Sequence, residues 1–459
     1  MSAVMKSLIS IGCRRGLPAV AVIAVLCFLI ARIAFWASLE TVRTASPCDD
    51  RSTPPLDSDT SWADYNEEAF PEGHKAVQVS SEHLLGNCFP TAPTQSPEIG
   101  AEQNGFRELY HRLYQERNLF TNAGLNFEHI MSGLKEDSVR NSFSPRKEPC
   151  VLRVSSEQTV SLYWPAEGSL WNAASEMTYT LGDGPYIDLM FKTTFEKSPE
   201  RRYLLYMWAS YMKSTRDHRI RFFGVRDFLK ISPQRHKADI RWVDFGERVR
   251  CGGTHEDSNI PYWGASKLSC SDSANGFNIQ TPERCAFLLP FFYGLVDGDG
   301  DLATSNDDMV YLMMFDQAEA IRFTTFDFSG DVHQPVWDWQ YVIRYPRAGH
   351  TYQYRARLVY KPYKGVQDVV EEYVAWVKAL EPPSFPLDID VEPAGSGSIF
   401  PENMGGMYGD NVKAYFGVNP APGWTFDHWE GPVQDTLMRY TGTRMNAPTR
   451  IRAVCVRRK

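Results

Sequence analysis

The densest group of metal-ligating side chains is DGDGDLATSNDD, residues 297–308. Asp297, Asp299 and Asp301 stand at the first, third and fifth positions of a calcium-type loop, and Asp308 at the twelfth. Carboxylates so spaced repel one another unless a hard cation or full hydration offsets the charge, which makes calcium the cofactor such a loop would hold. Three features weigh against it. Leu302 stands where the sharp-turn glycine belongs, Asp308 is shorter than a bidentate glutamate, and the preceding CAFLLPFFYG reads as strand. A solvated acidic hairpin loop is the favoured reading.

A second group lies in PVWDWQYVIRYP (335–346), which offers Trp337, Asp338, Trp339, Gln340 and Arg344. Sugar sites combine an aromatic platform with carboxylate and amide groups that bond hydroxyls. On a strand Trp337 and Trp339 share one face and Asp338 and Gln340 the other, so one pair is expected in the core. Tryptophan packing inside a sandwich is favoured over a platform. MWASYMKSTRDHR (207–219) adds Trp208, Tyr211, Asp217 and His218, and Arg322 lies in IRFTTFD. Asp188 interrupts the apolar YIDLMF, where a carboxylate needs either a partner or a wet face. Paired with Asp338 it could serve as acid and base for glycosidic chemistry, although no spacing brings the two together. The ligand-binding candidates are therefore Asp188, Trp208, Tyr211, Arg322, Trp337 and Asp338. His255, His333 and His350 fall in expected loops, where solvated histidines are the commoner case.

Cys251, Cys270 and Cys285 are close enough for one loop-stapling disulfide. With His255 they could be drawn as a zinc site, but there is no C-x-x-C pair, and an oxidising compartment favours the disulfide. The chain has no G-x-S-x-G elbow, H-E-x-x-H, P-loop or Rossmann fingerprint. No motif assigns a reaction, and the reading leans away from an enzyme.

These groups must be held by a mainly β chain. Lys6, Arg14 and Arg15 precede an apolar run at 17–39 that carries one charge, Arg32, and is long enough to cross a bilayer. The basic flank puts residues 1–16 in the cytoplasm and the bulk of the chain in the periplasm or outside the cell. Membrane lipid is thus the first expected partner of a single-pass bacterial envelope protein. A cleaved signal peptide is the rival, disfavoured because no small-x-small cleavage site follows. Residues 40–100, rich in Pro, Ser, Thr and acidic side chains, read as a solvated tether. Helices are expected over GFRELYHRLYQERNLF, where Phe106, Leu109, Leu113 and Phe120 fall near helical spacing, and over FEHIMSGLKE.

From about 150 to 360 the pattern turns to strands: 159–164, 177–181, 186–195, 203–211, 220–224, 285–294, 309–315, 321–327, 340–343 and 351–360. Many strands with turn-rich loops indicate antiparallel sheets packed as a sandwich over 101–380, closed by an amphipathic helix at 366–380. Glu381-Pro382-Pro383-Ser384 marks a boundary before a small β-module at 384–459. The 459 residues carry a net charge of −8, which argues against a nucleic-acid partner.

In the last unit, VEPAGSGSIFP (391–401), Tyr408-Gly409, PAPGWTFDHWEGP (420–432), Met445 and TRIRAVCV (449–456) resemble the divergent InlB B-repeat family. That resemblance implies a small non-catalytic β-module on a bacterial surface. GPYIDLMF, YMWASYMKS, IRFFG, PVWDWQYVI and RLVYKPY are similar to an uncharacterised planctomycete-type group of exported proteins, and the sheets resemble the galactose-mutarotase-like supersandwich. The implied function is a membrane-anchored envelope protein that binds a glycan or another envelope component. The alternative is a carbohydrate-active enzyme, a hydrolase, lyase or epimerase, on the same sandwich; fold alone does not decide between them.

Overall fold

Strand-forming aromatic and β-branched residues dominate from residue 77 onward. The computed structural model describes residues 76–91, 104–114, 117–132, 144–226, 240–246, 260–265, 285–299, 301–303, 306–327 and 331–458. The expected anchor at 17–39, the tail before it and most of the tether lie outside the described residues. Among the described residues no helix is long and apolar enough to cross a membrane.

The sandwich strands begin with β1 (Val77–Ser80), β2 (Leu84–Phe89), β3 (Gly105–His111), β4 (Phe120–Met131), β5 (Val151–Ser156) and β6 (Thr159–Trp164). They continue with β7 (Ala173–Leu181), β8 (Tyr186–Phe195), β9 (Tyr203–Met212), β10 (Ile220–Arg226), β11 (Ile240–Phe245) and β12 (Ile260–Pro261). The rest are β13 (Cys285–Phe287), β14 (Phe291–Val296), β15 (Met309–Phe315), β16 (Ile321–Asp327), β17 (Pro335–Arg344) and β18 (Thr351–Pro362). One sheet runs β1-β2-β3-β4-β9-β17-β16-β12; the other runs β11-β10-β14-β15-β18-β8-β7-β6-β5, with β13 beside β10. Rings interlock between the sheets. Phe127 stacks on Trp208 at 4.6 Å and meets Phe191 of the facing sheet edge-on at 5.6 Å. Trp339 donates to the Tyr354 hydroxyl at 2.8 Å across the same core.

The helix α1 (Val366–Ala379) buries Val369, Val370, Tyr373, Val374, Trp376 and Val377. Its Tyr373 lies 5.0 Å from Phe291 on the outer side of the ten-stranded sheet. The module follows with β19 (Pro383–Glu392), β20 (Gly397–Phe400), β21 (Gly406–Gly409) and β22 (Lys413–Pro420). It ends with β23 (Trp424–Glu430), β24 (Tyr440–Arg444) and β25 (Thr449–Arg457). These form two small sheets, β21-β19-β25-β23 and β20-β22-β24, with β19 and β25 parallel. Gly431 has φ 109°, and a side chain there would meet the Arg450 carbonyl at 2.6 Å, so the turn after β23 requires glycine.

The structure corrects several expectations. The stretch read as a helix from Phe106 is strand β3, and FEHIM of the second expected helix is the end of β4. β-Bulges explain the misleading spacing: Arg107 is extra against β2, and Glu128 is extra against β9. Each extra residue turns a spacing of two into three, which mimics a helical period. Residues 77–89, expected in the tether, are two strands of the eight-stranded sheet. CAFLLPFFYG divides into β13 and β14 because Pro290 cannot donate to the ladder.

The module is also no separate bead. Phe223 of β10 lies 4.5 Å from Phe400 and 5.2 Å from Tyr440. The Tyr415 hydroxyl accepts from the Ala318 amide at 2.9 Å, and Lys413 pairs with Glu319 at 2.7 Å. One continuous hydrophobic core runs through sandwich and module. Within the module Trp429 is buried while Trp424 and Phe426 are half-buried, because Asp427 is another bulge residue.

Candidate functional site

Strands β9 and β17 are buried on both faces along nearly their whole length. Their inward side chains, Trp208, Trp337 and Trp339, belong to the sandwich core. Trp208 stacks on Trp339 at 6.1 Å, and Trp337 packs on Tyr311 at 5.7 Å in space left by Gly294. The alternation that separates Trp337 from Asp338 holds, but both residues are buried rather than one.

The outward face carries the polar groups. The register sets Asn126 of β4 opposite Ala209, Ala209 opposite Asp338, and Asp338 opposite Thr324 of β16. This single row crosses four strands, and all four residues are fully buried. Asn126 Oδ1, Asp338 Oδ2 and Thr324 Oγ1 have no hydrogen-bond partner among the described residues. Leaving such an atom buried and unpaired costs about 1–3 kcal/mol, so three in one row single this face out as the candidate site. The other atoms of the row are tied down. Ser210 N–H donates to Asp338 Oδ1 at 3.2 Å, and Asn126 Nδ2 donates to the Ala123 carbonyl at 3.1 Å.

A buried ion pair borders the row. Glu128 Oε1 accepts from Arg146 Nη1 at 2.9 Å and from the Tyr211 hydroxyl at 2.6 Å. The Arg146 guanidinium lies 5.6 Å from the centre of the Tyr211 ring. The bulge at Glu128 allows this carboxylate to meet Tyr211. Burial, and then the charge of Glu128, push the Asp338 carboxyl well above the usual range. Burial and Arg146 push the His129 imidazole down to about 3. In the next row, Gln340 sits opposite Arg322. Burial and then Arg344 bring the Arg322 guanidinium down to about 9.

Of the six ligand-binding candidates, Tyr211, Arg322 and Asp338 share this outward face, while Trp208 and Trp337 point into the core. Asp188 lies on the other sheet. Arg357 grips it with two bonds of 2.7 and 2.9 Å and stacks over the Tyr186 ring at 3.5 Å. The pairing of Asp188 with Asp338 is therefore not made; the carboxylate that faces Asp338 electrostatically is Glu128. Asn126, Glu128, Arg146 and Thr324 were missed from the sequence. Glu128 was hidden inside a stretch whose bulge suggested a helix, and Asn126 stands just before it.

In the acidic loop, oxygens of Asp297, Asp299 and Asp307 lie within 4.8 Å of one another. Asp301 and Asp308, expected in the calcium set, stand outside this group. Arg216 supplies the balancing charge: it reaches Asp297 at 2.8 Å and Asp307 at 3.4 Å, and it also pairs with Asp308. Asp299 and Asp301 carboxylates accept from the Asp301 and Ala303 amides, which shape the loop. Asp217 is held by Arg219 at 2.6 Å and Arg221 at 2.7 Å, and His333 bonds the Thr215 carbonyl at 2.6 Å. Cys285 is buried at the start of β13, whereas Cys251, Cys270 and His255 lie outside the described residues.

No family model matches the chain, and no curated protein matches it. Solved structures do. A galactose mutarotase related enzyme from Lactobacillus acidophilus matches at 7% identity and TM-score 0.31, over 62% of this chain and 97% of that one. An aldose epimerase homologue from C. elegans matches at 10% and 0.32, over 63% and 99%. An alpha-N-acetylgalactosaminidase from Bifidobacterium bifidum matches at 12% and 0.36, over 70% and 45%. At these values no activity passes from them to this chain. The InlB B-repeat resemblance of the C-terminal module has no matching family model behind it.

Proposed function

We propose that this protein is an envelope protein that binds carbohydrate on the outward face of its eight-stranded sheet. One observation carries the reading: the row Asn126–Asp338–Thr324 presents three buried, unpaired polar atoms beside the Glu128–Arg146–Tyr211 cluster. An amide oxygen, a carboxyl oxygen and a hydroxyl together offer acceptors and a donor, which suits a ligand whose hydroxyls do both. The row is closed to solvent. A glycan array probed with the full chain, and with Asp338→Leu, tests this. Binding that the variant loses supports it; no bound glycan, or equal binding by both, sinks it.

Carbohydrate-active chemistry is the second reading. It is favoured by two neighbouring carboxyls in unlike settings, Asp338 with its affinity for a proton raised by burial and by Glu128, and Glu128 held as an acceptor by Arg146 and Tyr211. Reducing-end release or anomeric exchange on any array hit, abolished in Glu128→Gln, is the outcome to expect. Residues 17–39 would anchor the chain, and the module, in its resemblance to the InlB B-repeat, would be its surface-contact part. Carbonate-resistant membrane association that is lost on deleting residues 1–39 tests the anchor; a freely soluble full chain refutes it.

A further inference from the structure

The stretches EKSPERR (196–202), between β8 and β9, and RYPRAGH (344–350), between β17 and β18, each cross from one sheet to the other at the same end of the sandwich. Backbone bonds zip them together. Tyr345 N–H donates to the Arg202 carbonyl at 2.9 Å, Ala348 N–H to Ser198 Oγ at 2.9 Å, and Gly349 N–H to the Phe195 carbonyl at 2.8 Å. The pair carries five fixed cations, Lys197, Arg201, Arg202, Arg344 and Arg347, against two carboxylates, Glu196 and Glu200, in a chain whose net charge is −8. Lys197, Arg202, Arg344 and Arg347 are exposed. Among the described residues Lys197, Arg202 and Arg347 form no ion pair. Tyr345 stands between these groups, 58% exposed, with φ 49°, a conformation that bulky residues rarely adopt. Arg202 Nε donates to its hydroxyl at 3.3 Å. The fold thus holds an exposed ring in one place, in a strained conformation, beside exposed guanidinium groups.

We propose that this end of the sandwich binds an acidic polysaccharide, one whose sugars carry carboxylate or sulfate groups. A guanidinium fork meets such an anion with two parallel bonds, and a ring face takes the apolar side of a sugar. Attraction by charge alone would need neither the predominance of arginine nor a ring fixed at positive φ. Arg344 lies six residues along β17 from Asp338, about 20 Å at the rise of a strand, so this surface is separate from the buried row and does not depend on it.

Calorimetric titration of the full chain with polygalacturonate, heparin, neutral dextran and inorganic polyphosphate tests the proposal. At least one of the two acidic polysaccharides is expected to bind, with affinity that falls as salt rises, and dextran is not. Polyphosphate, which has charge but no sugar ring, is expected to bind at least about threefold more weakly. The double variant Arg202→Gln/Arg347→Gln should weaken polysaccharide binding at least about tenfold. Tyr345→Gly removes the ring and relieves the left-handed backbone, so the melting temperature should hold or rise while polysaccharide affinity falls about threefold or more and polyphosphate affinity is unchanged. A merely structural tyrosine would not separate stability from binding in this way. No binding of either acidic polysaccharide, equal or tighter binding of polyphosphate or of an oligodeoxythymidylate, or unchanged affinity in Tyr345→Gly overturns the proposal. Glycan binding that depends on Asp338 would be untouched by these variants, so the two readings fail separately.

Discussion

Asp338 and Asp188 occupy equivalent-looking positions, each a lone carboxylate in an apolar strand, on opposite sheets of the sandwich. Asp188 is partly exposed, with 43% of its side chain accessible, and Arg357 satisfies both its oxygens. Asp338 is fully buried, takes one backbone bond and leaves Oδ2 unpaired. A paired surface carboxylate is a tolerated neighbour; an unpaired buried one costs stability and persists when it does something else. The outward face of the eight-stranded sheet thus holds a buried, unpaired carboxyl oxygen, whereas that of β7 and β8 carries mostly half-buried side chains.

The largest way to break this contrast is to remove the counter-charges. Arg146→Met leaves Glu128 buried and uncompensated and is expected to cost about 3–5 kcal/mol in urea unfolding. Arg357→Met, at the exposed pair, is expected to cost about 1 kcal/mol or less. Similar values for the two would erase the distinction.

Next comes Asp338→Leu. It removes the unpaired Oδ2 but also the acceptor of the Ser210 amide, opposing effects of about 1–3 kcal/mol each, so the melting temperature should change little while glycan binding falls at least about tenfold. A large fall in melting temperature would show Asp338 to be structural. The same variant sharpens the pH dependence. The folded protein holds the Asp338 proton more tightly than the unfolded chain, where a carboxyl titrates near about 3.9. This contribution is fully present below that value and is lost as pH rises toward the folded pKa. The stability of Asp338→Leu relative to wild type should therefore rise as the pH increases above about 4. A flat difference counts against the raised pKa.

Smaller effects are expected at the acidic loop. Arg216→Gln removes the charge shared by Asp297, Asp307 and Asp308, and the lowered melting temperature should recover in about 1 mM calcium. Indifference to calcium would leave the loop a solvated hairpin. The smallest effect is expected of Asp188→Asn, at most about 1 kcal/mol, with glycan binding unchanged.

Much of the sandwich was legible in its sequence. The strands at 186–195, 309–315 and 321–327 match their expected bounds: the first alternates buried and more exposed side chains, the second is a short unbroken apolar run, and no bulge interrupts any of them. The bulged strands were not legible. Arg107 and Glu128 each add one residue, and the resulting spacing of three reads as a helix until a partner strand fixes the register. Glu128 was lost to the candidate site for that reason, and Arg146 because the segment that carries it has no periodic pattern.

The sequence by itself determined which residues share a face: Trp337 with Trp339, and Asp338 with Gln340, follow from a period of two. It also determined the mainly β architecture and the apolar face of α1. Only the tertiary structure decided which face is wet. Alternation is symmetric between the two sides of a strand, and burial on one or both depends on what packs there. The same limit applies to partners. That Asp188 meets Arg357 while Asp338 meets no cation is a fact of register across strands distant in sequence, and no local spacing encodes it.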